Sequence, residues 1–417
     1  MKKKCILIII LFCMIGFWGC DKENVMDESS NHFFEYDVDA KSISIDKIEN
    51  LSDDFIMGVD VSSLLSLEAS GRVYYGFDGK EQDIFKTFSE AGVNYIRVRV
   101  WNNPFDENGN GYGGGNCTVD TAIELGKRAS QYDIGLMVDF HYSDFWADPG
   151  KQQAPKEWIN MTVDEKEDAI YDYTVESLNK ILNNGIKIGI VQVGNETTNG
   201  FCGEVDKENI YQLMNSAVKA IRDTDKSIFI AVHYTNPEKK IYKDYAYELQ
   251  ENEVDYDIFA TSYYPKYHGT LYNLKEELDT VHKISGKKVM IAETSWAHSS
   301  STTGTYKRSV QGQADEIYDC INAMCELGDY AIGVFYWEPA WIDVPGDTEE
   351  EKINKREIYG AGWASSYAAS YDPKDAGKYY GGTACIPTSL FDSSGYPLES
   401  LKTFSYVRQG VDSNNKN

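Results

Sequence analysis

Beyond residue 55 the chain alternates two hydrophobic rhythms. Short β-branched runs predict strands at Ile56–Val61, Tyr95–Trp101, Gly135–His141, Ile188–Asn195, Ile228–His233, Ile258–Tyr263, Lys288–Glu293 and Gly333–Trp337. Between them lie stretches of 3.6-residue period, such as Gln82–Ala91, Asp120–Tyr132, Glu165–Asn183, Ile210–Asp223, Leu271–Ile284 and Gln311–Leu327. Gly92, Gly185, Gly286 and Gly328 fall just past helix ends, where a left-handed cap favours glycine. Strands that alternate with helices pair in parallel, and eight of them close a ring. The expected class is therefore α/β, a (β/α)8 TIM barrel over residues 55–409. An open doubly wound sheet would want a glycine-rich phosphate loop after its first strand. Here that strand runs into Val59-Asp60-Val61-Ser62-Ser63 instead. The stretch from Asp343 to Pro397 has little regular pattern and reads as a long functional loop between strand eight and a last helix near Leu398–Val407.

The ends break the rhythm. Lys2, Lys3 and Lys4 precede an apolar run, Ile6–Trp18, of signal-peptide length. The run closes on Phe17-Trp18-Gly19-Cys20, which resembles a bacterial lipobox. Residues 1–19 are thus expected to be removed, with Cys20 lipidated. Residues 20–54 are acidic and poor in apolar side chains, and read as a flexible tether. Residues 410–417 read as a disordered tail. The implied location is outside the cell, anchored to a bacterial membrane at the surface through Cys20 alone.

Charge and composition narrow the partners. A net charge of −26 repels phosphate backbones and anionic lipids, so no nucleic-acid partner is expected and a neutral polymer suits best. Aromatic content is 13%, with 30 Tyr and 8 Trp, which suits a ligand stacked on rings. After Cys20 the cysteines are Cys117, Cys202, Cys320, Cys325 and Cys385, an odd set without a CxxC pair. That is neither a disulfide framework nor a zinc site. A monomer is expected.

Catalytic groups of such barrels come from the C-terminal ends of different strands. In strand order these ends carry Asp60; Arg97, Arg99 and Trp101; Asp139 and His141; Asn195 and Glu196; His233; Tyr263; Glu293; and Trp337 with Glu338. Solubilising loop residues would explain one such end more easily than eight. Glu196 and Glu293 come from opposite sides of the ring, as glycoside hydrolysis requires. One carboxyl gives a proton to the leaving oxygen, and the other, about 5–5.5 Å from the first, attacks the anomeric carbon. Asn195 could hold the sugar 2-hydroxyl, and Arg99 and Tyr263 could keep the nucleophile ionised. Trp101, Trp146, Trp296, Trp337 and Trp341 all follow strand ends. Each alone is as easily core, but together they suggest a sugar-lined cleft.

The segments Gly58–Ser62, Tyr95–Trp101, Asp139–Pro149, Gln192–Thr197 and Glu293–Trp296 resemble glycoside hydrolase family 53, the arabinogalactan endo-β-1,4-galactanases. So do Gly362–Tyr367, Tyr371-Asp372-Pro373 and Asp375-Ala376-Gly377. The resemblance spans roughly Asp54 to Val407. It implies an endo-acting, retaining attack on the β-1,4-galactan of type I arabinogalactan, with Glu196 as acid/base and Glu293 as nucleophile. It places Arg99, His141, Asn195 and Tyr263 around the cleaved sugar, and the strand-end residues Asp60, Trp101, Trp296 and Trp337 are expected to bind substrate beside them. No cofactor is required. Bacterial relatives often carry a structural calcium in the loop after the nucleophile strand, but here His298–Thr305 holds no carboxylate. Asp343, Asp347, Asp372 and Asp375 are the remaining acids that could supply ligands. Two alternatives stand beside this reading: a related retaining β-glycanase acting on mannan, xylan or glucan, and a non-catalytic surface glycan-binding lipoprotein.

Overall fold

In the computed structural model, which describes residues 43–299, 304–382 and 386–413, eight parallel strands close on themselves. They are β1 Ile56–Asp60, β2 Tyr95–Val100, β3 Gly135–Phe140, β4 Ile188–Val193, β5 Phe229–Tyr234, β6 Ile258–Ser262, β7 Lys288–Thr294 and β8 Ala331–Tyr336. Each pairs with its neighbour in sequence, and β8 returns to β1. The expected barrel is the observed one. Around it run α1 Leu64–Ala69, α2 Ile84–Glu90, α3 Val119–Ser130, α4 Val163–Asn183, α5 Lys207–Thr224, α6 Tyr242–Glu251, α7 Leu271–Ser285 and α8 Val310–Leu327. Then follow α9 Glu349–Tyr359, α10 Ala376–Tyr379 and α11 Thr403–Tyr406.

Alternation along each strand separates two cores. Inward-facing Met137, Ile190, Ala231, Ile258, Ala260, Met290, Ala292 and Phe335 plug the barrel. The intervening Val138, Val191, Phe259, Ile291 and Val334 face the helices. The plug is tight: a Cβ on Gly58 would stand 2.2 Å from the Phe335 ring, so only glycine fits there. Above the plug the inward positions turn polar, and the site begins.

β7 departs from strict alternation. Its pairing with β6 slips between Thr261 with Ile291 and Ser262 with Glu293. Its pairing with β8 slips between Ile291 with Val334 and Thr294 with Tyr336. One extra residue is accommodated, so Ala292 and Glu293 both face inward. Bulges of this kind re-aim a side chain near active sites.

The ends differ from their expectation. Ile43, Ile45 and Ile48 are buried, and Ile45 forms a two-way backbone bridge with Val411 at 2.8 and 2.7 Å. Ser44 exchanges two hydrogen bonds with Gln311 at the start of α8. Residues 43–54 and 410–413 are therefore packed, not tether and tail. Ser44, Asp46 and Lys47 between the isoleucines hide an apolar face whose burial outweighs the ordering cost. Residues 20–42, with Cys20, and 414–417 lie outside the described residues, as do the signal segment and Cys385. Among the described residues no helix is long and apolar enough to cross a membrane.

The long loop after β8 is more ordered than its sequence suggested. Thr348 caps α9 by accepting from the Glu351 amide at 3.2 Å, and Gly360 closes it with a φ of 68°. A small core of Trp101, Tyr112, Phe145, Ala364, Ala368 and Tyr371 pins this loop to those after β2 and β3.

Candidate active site

Strand ends bring Asp60, Arg97, Asp139, Gln192, His233, Ser262 and Glu293 into one ring at the barrel mouth. Arg97, 1% exposed, is its hub. Its Nη1 lies 3.0 Å from Asp60 Oδ2 and 2.8 Å from Glu293 Oε1, and its Nη2 lies 2.7 Å from Asp139 Oδ2. Nη2 also donates to Asn195 Oδ1 at 2.8 Å, and Nε donates to Gln192 Oε1 at 3.2 Å. Burial alone would depress this guanidinium. The charges of Asp139, Glu293 and Asp60 outweigh burial and push it above its ordinary value, so it stays charged.

Glu196 and Glu293 line the same mouth in different company. β4 ends at Val193; Gly194 then takes a φ of 77° and Glu196 itself a φ of 47°. That left-handed turn, costly for a residue with a Cβ, swings the Glu196 side chain inward. Its Oε1 accepts from Ser262 Oγ at 2.6 Å, and His233 Nε2 stands 3.0 Å from the same hydroxyl. Burial, then the charge of Arg97, holds the His233 imidazole well below its usual range, so it is neutral. Glu293, in contrast, meets charged Arg97 and accepts from Tyr264 Oη at 2.9 Å. Burial raises both carboxyls. For Glu196 the charge of Glu293 adds to that rise and Ser262 only partly offsets it, leaving the group well above the ordinary range. For Glu293, Arg97 and Tyr264 oppose burial, so its carboxyl stays above the ordinary range but by less than that of Glu196. The surroundings thus favour a proton on Glu196 and charge on Glu293.

Two assignments move to a nearby residue of the same strand. The Tyr263 side chain does not reach the Glu293 carboxyl: it faces the helix layer, its hydroxyl donates to Gly269 O at 3.1 Å, and only its amide meets Glu293, at the backbone carbonyl. Ala260, Ser262 and Tyr264 share the inward face, so Tyr264 is the donor. Arg99 does not hold Glu293 either. Its Nη1 lies 2.5 Å from Glu338 Oε1, and its guanidinium stacks 4.3 Å from the Trp146 ring. Arg97, two residues earlier on the same face, takes the nucleophile.

The other expected residues divide into wall and support. Asp60 is fully buried and serves Arg97 and Ser62. Trp101, also buried, donates to His141 Nδ1 at 3.1 Å, while His141 Nε2 meets Asp139 at 3.1 Å. Trp296, 4% exposed, donates to Lys307 O. Trp337 is partly exposed, as are Trp146 and Trp363. Trp146 packs 6.3 Å from Trp337 and donates to Trp363 O at 3.0 Å, which makes a continuous aromatic wall. Asn195 donates one amide hydrogen to Ala147 O at 2.8 Å and keeps the other without a partner among the described residues.

The acids considered for calcium do not fit an ion. Asp343 meets Arg356 at 2.8 Å and Lys352 at 3.2 Å, while Asp372 and Asp375 share Lys151 Nζ at 2.7 and 3.1 Å. Asp347 is exposed. Asp343 is thus matched by side-chain cations, Asp372 and Asp375 share one, and the described residues hold no cluster of three or more metal-ligating groups. Residues 300–303 of the loop after β7 lie outside the described set.

Comparison with known proteins agrees with this geometry. The chain is 50% identical to the endo-β-1,4-galactanase of Bacillus subtilis (strain 168) over 92% of both chains. It is 33% identical to the arabinogalactan endo-β-1,4-galactanase of Humicola insolens, over 68% of this chain and 89% of that one. The solved catalytic domain from Ignisphaera aggregans superposes with a TM-score of 0.78 at 34% identity, covering 88% of this chain and all of that one. The family model described as glycosyl hydrolase family 53 matches residues 56–404. The chain belongs to glycosyl hydrolase family 53.

Proposed function

We propose that the protein is an endo-acting, retaining β-1,4-galactanase that cuts the galactan of type I arabinogalactan. The observation that carries this reading is the unlike company of two carboxyls in one cavity: Glu196 beside the neutral Ser262 hydroxyl, and Glu293 against the Arg97 cation. Glu196 protonates the departing glycosidic oxygen while Glu293 attacks the anomeric carbon and forms a covalent galactosyl ester. Glu196, now a carboxylate, takes a proton from the water that cleaves the ester, and Glu293 leaves as it came. The free Asn195 amide hydrogen is aimed at the sugar 2-hydroxyl. Trp146, Trp337 and Trp363 offer their faces to the C–H sides of galactose. The names of the relatives supply the choice of galactan over mannan, xylan or glucan.

The test is the product series from linear β-1,4-galactan over time, beside mannan, xylan and mixed-linkage glucan. Mixed oligosaccharides should appear first and shorten later, from galactan alone. Release of galactose monomer from the outset, or cleavage of another polymer instead, would overturn the reading. Export and anchoring through a lipid on Cys20 belong to the same proposal, supported by the Lys2–Lys4 charge and the Ile6–Trp18 run. Cys20→Ala should free the protein from membranes; retention there would mean another anchor.

A further inference from the structure

We infer that Gln152, in the loop after β3, is a positioning residue that fixes the backbone of Glu196 and so aims the acid/base. The inference rests on the proposed role of Glu196. Gln152 Nε2 donates to Asn195 O at 2.8 Å, to Asp148 O at 3.0 Å and to Glu196 O at 3.3 Å. Three carbonyl oxygens converging on one end of an amide identify that end as the nitrogen. The carbonyl of Asn195 belongs to the peptide plane before the Glu196 Cα, and the carbonyl of Glu196 to the plane after it. Rotation of those two planes is what φ and ψ of Glu196 measure. One side chain therefore grips both sides of a residue held at φ 47° and ψ 51°, a conformation that nothing in glutamate favours.

The grip is itself anchored. The Gly203 amide donates to Gln152 O at 2.5 Å. Asn199 donates to Pro149 O at 2.8 Å, and Asn195 to Ala147 O at 2.8 Å. These bonds stitch the loop after β3 to the loop after β4 on both sides of the acid. Gln152 Oε1 is buried with no partner among the described residues, so the whole polar contribution of this side chain runs through its nitrogen. Ser262 orients the carboxyl tip of Glu196; Gln152 orients its root.

The split between substrates that need an acid and substrates that do not separates positioning from general stability. The measurement is kcat/KM, which reports the glycosylation step, for linear β-1,4-galactan and for a dinitrophenyl β-galactobioside whose leaving group departs unprotonated. In Gln152→Met the galactan value should fall on the order of 10²-fold, the scale of a small misplacement of a catalytic group. The aryl value should stay near that of the wild type, with Tm unchanged. Gln152→Asn, one methylene shorter, should show the same split if the methionine variant fails to fold. Equal losses on both substrates, or no loss on galactan, would overturn the inference while wild-type turnover leaves the galactanase reading standing. A wild type inert toward both substrates removes that reading, and this inference with it.

Discussion

Ser262 and Tyr264 stand two residues apart at the end of β6, face the same way, and each donates to a different carboxyl, Ser262 to Glu196 at 2.6 Å and Tyr264 to Glu293 at 2.9 Å. Residues i and i+2 of a strand share one face, about 7 Å apart along it. A single strand end thus sets out both acids of the proposed double displacement.

Glu293→Gln should abolish turnover and leave oligosaccharide binding largely intact, because the amide keeps the shape and the Tyr264 contact but cannot attack. Calorimetric binding alongside rate measurements checks this; wild-type-like rates would remove the nucleophile assignment.

Glu196→Ala should slow galactan cleavage by about 10²–10⁴-fold, the usual worth of general acid catalysis. Small anions such as azide should restore turnover of activated aryl galactosides, giving a galactosyl azide. Absence of that product in a well-folded variant would count against the acid/base role.

The neighbouring tyrosines offer a sharper contrast. Tyr264→Phe removes a hydrogen bond to a charged group, worth about 1.5–3 kcal/mol, and should lower kcat at least tenfold. Tyr263→Phe should leave kcat near wild type and cost about 1 kcal/mol of stability through the lost bond to Gly269. The reverse order would mean that the face assignment at β6 is mistaken.

The pH profile carries a sign. The acid must hold its proton, so activity falls as pH rises through the Glu196 pKa. Ser262 lowers that pKa, opposing burial and the charge of Glu293. Removing the hydroxyl in Ser262→Ala should raise it further and move the alkaline limb of kcat/KM to higher pH. A shift to lower pH would contradict the assignment.

Glu316, on α8 behind β7, makes a stability prediction. Burial pushes its pKa up to about 7, against bonds from Thr294 and Cys320. An unfolded glutamate titrates near ~4.3. The folded value is the higher one, so its contribution is full below about 4.3 and is lost as pH rises to about 7. Glu316→Gln mimics the protonated form. Between pH 5 and 8 the wild-type Tm should fall more than that of the variant; parallel curves would place the carboxyl in a wetter setting.

The barrel and both carboxyls could be read from the chain because β-branched runs end in charge at regular intervals. Strand bounds agree within a residue or two, as with Gly135–His141 expected and Gly135–Phe140 found. Which face a terminal residue takes was not readable. Tyr263 and Tyr264 are chemically equal and differ in face, which alternation counted from the plug assigns; Arg97 and Arg99 share a face and differ only in their distance from the plug. Gln152 carries no local signal, since its partners are backbone carbonyls of another loop. The burial of Trp101 and Trp296 follows from loop packing. Helix α9 did have a signal: Thr348 followed three residues later by Glu351, with Gly360 beyond its end.

The slip in β7 sets how far Glu293 stands from the plug. Between the plug residue Met290 and the carboxylate lie two residues, Ile291 and Ala292, where regular alternation would set one or three. A single deletion in that short span would restore regular alternation: the carboxylate would still face inward, but one residue nearer the plug. A single insertion would likewise keep it inward, one residue farther out. Loops elsewhere on this rim can change length without moving a strand end, but here one residue resets the reach of the attacking group.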